Sequence, residues 1–257
     1  MAQAILAQAV LACPFGARVS RLDPIVRPSN VTMAEVHSVS KLYSKTMATS
    51  QSDLFPPDVK TLHIEQGAIG AKLKFSISAG SVDAEGPHRF LYISEESGCI
   101  ERILCGPFRS LKLKVHQGDG EDGPVMQTMD KTFSCCCIRR PNVIVYNEGG
   151  AKIGHIEDPC GFCLMDQHMF DGTGPLFTTA GSFWQLGRWC SCCGDIELDV
   201  RKGEERLAGI TKKALSAEDA CRNVNHFMVS FDQCTEPLDK RMVLASAMLL
   251  AVFGHWK

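Results

Sequence analysis

The chain has 257 residues, 45% of them apolar and 22% charged, with a formal net charge of −2. That length suffices for one large core or two small ones. The near-neutral balance supplies no overall field for nucleic acid or anionic lipid, so nucleic acid is not an expected partner and any charge attraction must be local. Thirteen cysteines, an odd number at irregular spacing, do not read as a disulfide framework. The apolar start MAQAILAQAVLAC lacks the positive region of a secretory signal. The thiols therefore read as reduced and the chain as cytosolic.

Residues 1–54 show no sustained period and are rich in Ser, Thr, Ala and isolated Pro, the texture of a poorly ordered leader. An alternative is a mitochondrial presequence, since residues 1–22 carry Arg18 and Arg21 and no acid. Residues 55–257 form the expected folded domain. Short alternating runs appear there, each closed by Gly, Asp, Asn or Pro: AKLKFSIS, RFLYIS, SLKLKV, NVIVYN, DIELDV and HFMVSF. In SLKLKV, Leu111, Leu113 and Val115 fall on one face, with Lys112 and Lys114 on the other, the period of half-buried antiparallel strands. A shift of 85 residues, without a gap, lays Cys105 on Cys190, Leu111 on Ile196, Leu113 on Leu198, Val115 on Val200 and Gly118 on Gly203. The same shift lays Leu91 on Leu176, Tyr92 on Phe177, Val125 on Ile210, Ile144 on Val229 and Tyr146 on Phe231. Either two similar stretches of sheet or a duplicated β-unit closing one barrel explains this, and closure removes strand edges.

FSCCCIRRP, residues 133–141, places Cys135, Cys136 and Cys137 beside Arg139 and Arg140, with Lys131 just before. Three consecutive side chains cannot all face one core. Cys160 and Cys163 have CxxC spacing, and with Cys190 and Cys193 they form a candidate zinc set, although the gap between the pairs exceeds that of usual ribbons. CGFC as a redox pair lacks a surrounding βαβ pattern. His155 and His168 sit in segments read as loops, and nothing marks either as an oriented base. Trp184 and Trp189, flanking Arg188, suit either a lipid headgroup interface or barrel packing. Residues 238–254 predict a helix. Its twelve uncharged residues, Met242 to Phe253, are too few to cross a bilayer and favour a core helix that something must surround.

These pieces resemble the phospholipid scramblases, which belong with the tubby-like barrels. The likeness runs from about Pro56 to Phe253 and is carried by CGPFRSLKLKV, the cysteine cluster, GGAKIGHI, CSCCGDIELDV, LAGITKK and the apolar terminal helix. It implies a mostly β fold: a closed antiparallel barrel of about twelve strands, in two pseudo-repeated halves, around the C-terminal helix. It also implies palmitate on Cys135, Cys136 and Cys137, placement at the cytoplasmic face of the plasma membrane, and phospholipids as partners. Bidirectional lipid movement between leaflets, without covalent chemistry and so without an enzyme's nucleophile, is the implied function. One acyl chain anchors only marginally, so several thiols, helped by Lys131, Arg139 and Arg140, would be needed. The resemblance further associates calcium with the segment 223–234. Here Asn223 and Asn225 stand where the family prefers Asp, Met228 replaces a turn glycine, and only Asp232 brings charge. Calcium wants six to eight oxygens, several anionic, so HFMVSF reads as a strand and Asn223, Asn225 and Asp232 as a degenerate set. Lys212-Lys213 reads as a solvated turn. A barrel filled by its helix offers no lipid path, so scrambling requires the helix to leave or the bilayer to deform, with self-association as one route. The competing functions are a lipid-anchored module that does not itself scramble, and a zinc or redox thiol protein.

Overall fold

The computed structural model describes residues 54–56, 58–69, 72–80, 89–134, 140–159, 166–182, 184–222 and 224–253. Twelve strands follow one another: β1 (Thr61–Ile69), β2 (Lys72–Ala79), β3 (Arg89–Glu96), β4 (Leu111–Gln117), β5 (Val125–Lys131), β6 (Asn142–Asn147), β7 (Lys152–Glu157), β8 (Gln167–Asp171), β9 (Pro175–Ala180), β10 (Ile196–Lys202), β11 (Glu205–Lys212) and β12 (Asn225–Ser230). Each pairs antiparallel with its neighbours in sequence, and β1 pairs with β12, for instance Leu62 opposite Val229 and Ile64 opposite Phe227, to close the barrel. The predicted barrel is therefore the fold, and among the described strands no edge is left to template aggregation.

Most wall strands send alternate apolar side chains inward. Leu111, Leu113 and Val115 of β4 are buried, and so are Ile196, Leu198 and Val200 of β10. Those two strands lie 85 residues apart along their whole length, as the internal match requires. The constant shift fails on either side. Leu91 is buried while Leu176 is only partly so, and Val229 is buried while Ile144 is intermediate. A slip of one residue moves a side chain to the opposite face, so β3 matches β9, and β6 matches β12, only after a one-residue gap. His155 and His168, expected in loops, lie in β7 and β8, where both rings pack against Phe170. Lys212 ends β11 and is buried rather than in a solvated turn.

The lumen is filled by the terminal helix (Pro237–Phe253), in which Met242 to Val252 are all buried. A cavity of about 10 Å³ lies between this helix and β4–β6, at the lower limit for holding a single water. Among the described residues no helix is long and apolar enough to cross a membrane. The charges just before the apolar run stay at the entry. Arg241 is fully buried, donating to the Met126 carbonyl at 3.0 Å with Glu148 at 3.8 Å, and Lys240 donates to the Val59 carbonyl at 3.1 Å. Deeper in, Ser246 donates to Gln167 Oε1 at 2.6 Å, and the Gln127 amide donates to the Arg241 carbonyl at 3.4 Å. Gly154 is held in a tight place between strand and helix, since a Cβ there would stand 2.5 Å from the Phe170 carbonyl oxygen and 2.8 Å from Met242 Cε.

Because the interior is this full, Leu244→Ala should cost about 2–5 kcal/mol in urea unfolding. Leu104→Ala, at an exposed leucine, should stay within about 0.5 kcal/mol. Equal small losses at both sites would contradict a filled lumen.

Candidate functional site: the apolar, thiol-rich end of the barrel

Consecutive antiparallel strands sort their connections: every link from an odd strand to the next even one lies at the same end. The β3–β4 link carries α1 (Cys99–Cys105) and a 3₁₀ turn (Gly106–Phe108). The β9–β10 link carries α2 (Leu186–Trp189), and the β11–β12 link carries α3 (Ala217–Arg222). The helix that fills the lumen, α4, enters from the other end and finishes here, beside Leu111, Lys131 and Val143. All the large apolar side chains exposed among the described residues are on these links: Ile100, Leu104, Phe108, Phe133, Trp184, Leu186 and Trp189. Trp184 is 79% and Trp189 64% exposed, their rings stacked at 6.3 Å and 21°. They cover each other rather than pack the barrel. Seven apolar side chains on one end are far more than scattered surface hydrophobes require.

The described turns of the opposite end carry Asp119, Glu121, Asp122, Glu148, Glu204, Asp232 and Glu236 without a lysine or arginine, with Glu121, Asp232 and Glu148 paired to Lys74, Arg206 and Arg241 of the neighbouring elements. Cys234, the thiol found there, is buried, and burial first, then Asp239, pushes its pKa up to about 12, which makes it inert.

Beneath the apolar end lies a buried joint. Arg109 of the CGPFR stretch grips Glu95 at the end of β3 with two bonds of 2.9 Å, while Glu95 also accepts from Ser97 and the Leu73 amide. Lys131 lies under it, donating to the Arg109 carbonyl at 2.8 Å. Lys131 was expected to face lipid. Instead its strand position points it inward, and it is buried against Leu249 and Val252 of α4. Burial, reinforced by the neighbouring Arg109 charge, brings its pKa from 10.5 down to about 8. Arg140 is half-buried and paired with Asp158 at 2.8 Å, so its charge is largely committed within the protein. Cys135, Cys136, Cys137 and Arg139 lie outside the described residues, but the link that carries them leaves β5 and returns to β6 at this same end.

Among the described residues the calcium set is not brought together, and of the zinc set only Cys190 and Cys193 are described. Asn223, Cys160 and Cys163 lie outside the described residues. Asn225 opens β12, while Asp232 follows its far end and pairs with Arg206 at 3.4 Å. Seven residues of extended chain separate them by about 23 Å, so they do not share a calcium ion. Cys190 and Cys193 are joined as a disulfide, contrary to the expectation of reduced thiols, with Cys192 Sγ 3.1 Å from Cys190 Sγ.

A family model described as Scramblase matches residues 82–253. The chain belongs to the scramblase family. Human phospholipid scramblase 1 is 23% identical over 177 residues, which cover 64% of this chain and 51% of that protein. The chain therefore spans about half the length of this curated relative. No solved structure matches it. For a scramblase-family chain, the exposed apolar set was the part of the site that sequence reading missed. Ile100, Leu104, Phe133 and Leu186 break no rule of composition, and only their position in links outside the strands could have flagged them.

The Lys131 pKa yields a test. The folded protein holds this proton more weakly than the unfolded chain, so unfolding takes up a proton between pH 8 and 10.5 and stability rises with pH through that window. Below pH 8 the ammonium is charged in both states and its burial costs the full amount. On raising the pH from 8 to 10.5, wild type should gain roughly 3 kcal/mol relative to Lys131→Met. Parallel pH profiles of the two proteins would contradict the buried placement.

Proposed function

We propose that this scramblase-family chain moves phospholipids in both directions between leaflets, docking on the cytoplasmic face of the plasma membrane through its apolar, thiol-rich end. The observation that carries the reading is that, among the described residues, the large exposed tryptophan, leucine, isoleucine and phenylalanine side chains are confined to that end. Stacked indoles suit the headgroup layer, where an apolar body and a polar N–H are both accommodated. Palmitate on Cys135, Cys136 and Cys137 would add the second signal that stable anchoring needs. The acidic turns would then point away from an anionic leaflet, lowering repulsion. The reaction makes and breaks no covalent bond, and no step is assigned to calcium.

The closed lumen limits how lipid could move. The uncharged stretch of α4, twelve residues at about 1.5 Å each, reaches about 18 Å of a hydrocarbon layer roughly 30 Å thick. Extracting it would also open the inner faces of twelve strands to water, at about 1.5–3 kcal/mol per large side chain, against a total fold stability of about 5–15 kcal/mol. The barrel is therefore proposed to stay shut, and the docked end to thin or disorder the bilayer, with several copies acting side by side. That same closed lumen favours one second reading: a lipid-anchored module that binds the membrane without scrambling.

Liposomes holding the acylated full chain and a labelled phospholipid separate the two readings. Flip above protein-free background, reduced several-fold by Trp184→Ala with Trp189→Ala, is expected. Membrane binding with background flip leaves only the anchored module. Separately, replacing Cys135, Cys136 and Cys137 by Ser should shift most of the protein from the membrane to the soluble fraction of cells. Full retention would mean that acylation is not the anchor.

A further inference from the structure

We infer that Cys190, Cys192 and Cys193 form, in the reduced protein, a three-thiolate site for a soft cation of the zinc or copper(I) class. The three sulfurs lie within 4.8 Å of one another, with Cys192 Sγ 3.1 Å from Cys190 and 4.0 Å from Cys193. Zinc–sulfur bonds of about 2.3 Å in a tetrahedron set sulfurs about 3.8 Å apart, so small side-chain rotations suffice to seat an ion.

The backbone already holds the trio in place. The Cys190 amide donates to the Leu186 carbonyl at 2.9 Å, the Cys193 amide to the Cys190 carbonyl at 2.9 Å, and the Leu215 amide to the Ser191 carbonyl at 2.8 Å. Gly187 lets α2 close on this turn, since a Cβ there would overlap the Gly194 carbonyl. The nearest carboxylate in sequence, Asp195, is occupied by Lys213 and the Ala214 amide, each at 2.8 Å. The donors left are all sulfur, which selects soft ions over calcium or magnesium. Cys192 and Cys193 are exposed, so an ion can enter, and its fourth position stays open to water or an added ligand.

The disulfide and the ion exclude each other. A dithiol reductant gives two electrons and two protons to the Cys190–Cys193 bond, forming two thiols and its own disulfide. Metal entry then releases up to three thiol protons. The β9–β10 link that carries Trp184 and Trp189 would thus be stapled by a covalent bond when oxidised and by an ion when reduced. This inference stands apart from the membrane reading, and either can fail alone.

Cobalt(II) is the probe. Titrated anaerobically into the reduced full chain, it should give a thiolate-to-cobalt charge-transfer band that saturates at about one equivalent and is displaced by zinc. Cys192→Ser and Cys193→Ser should each lose most of the band with unchanged circular dichroism. Cys135→Ser, Cys136→Ser and Cys137→Ser together should keep it, and prior oxidation should abolish it. The inference is overturned by absence of the band or by its survival in a chain lacking Cys190, Cys192 and Cys193. Its loss in Cys160→Ser with Cys163→Ser, or a fatty-acyl thioester on Cys192 of the native protein, overturns it equally.

Discussion

The mutual burial of α4 and the inner faces of twelve strands is the contact on which the rest depends. The helix is apolar on every side from Met242 to Val252, so it cannot lie on a surface. The strands present Phe75, Ile77, Leu91, Ile93 and Val145 to the interior, so the barrel cannot stand empty. Each solves the other's exposure. The charges Lys240 and Arg241 fix the direction of entry, because carbonyls of Val59 and Met126 and the carboxylate of Glu148 receive them at one rim. Only the uncharged stretch passes beyond that rim.

An up-and-down meander also explains how function separates from stability here. The strand interiors are committed to packing, leaving the connections free to vary, and antiparallel order sorts those connections into two ends. One end keeps short, acidic turns such as Gly203-Glu204. The other receives the three links that carry small helices, together with cysteines and exposed aromatic side chains. The Glu95–Arg109 pair and Lys131 join the two regimes, tying the 3₁₀ turn to the wall immediately below the apolar surface. Burying three charges there is costly unless they are paired and hydrogen-bonded, and each of them is bonded.

Among the thiols, the same geometry assigns different chemistry to residues of one type. Cys234 is sealed into the acidic end, whereas Cys192 and Cys221 are exposed on links at the opposite end. Clustering in sequence did not tell these apart. Cys160 and Cys163 share a spacing with many metal pairs, yet the sulfurs that converge among the described residues are Cys190, Cys192 and Cys193.

Alternation in SLKLKV and DIELDV announced half-buried strands and the all-round apolarity of residues 242–253 an enclosed helix, because burial on one face writes a period of two and burial on every face writes none. Closure into a twelve-strand barrel was implied by the family resemblance. β7 and β8 escaped: KIGHIE and QHMFD are short, carry histidines, and owe their strand state to neighbours on both sides. Parity decided Lys131, whose charge suggested a surface while its place on β5, in step with Gln127 and Met129, turned it inward. The one-residue gaps that break the repeat shift were likewise invisible until strand register was known. Which loops share an end is a property of strand order alone. Only closure of the chain brought Ile100, Phe133 and Trp184 to one end of the barrel, since no local pattern records which distant links share an end.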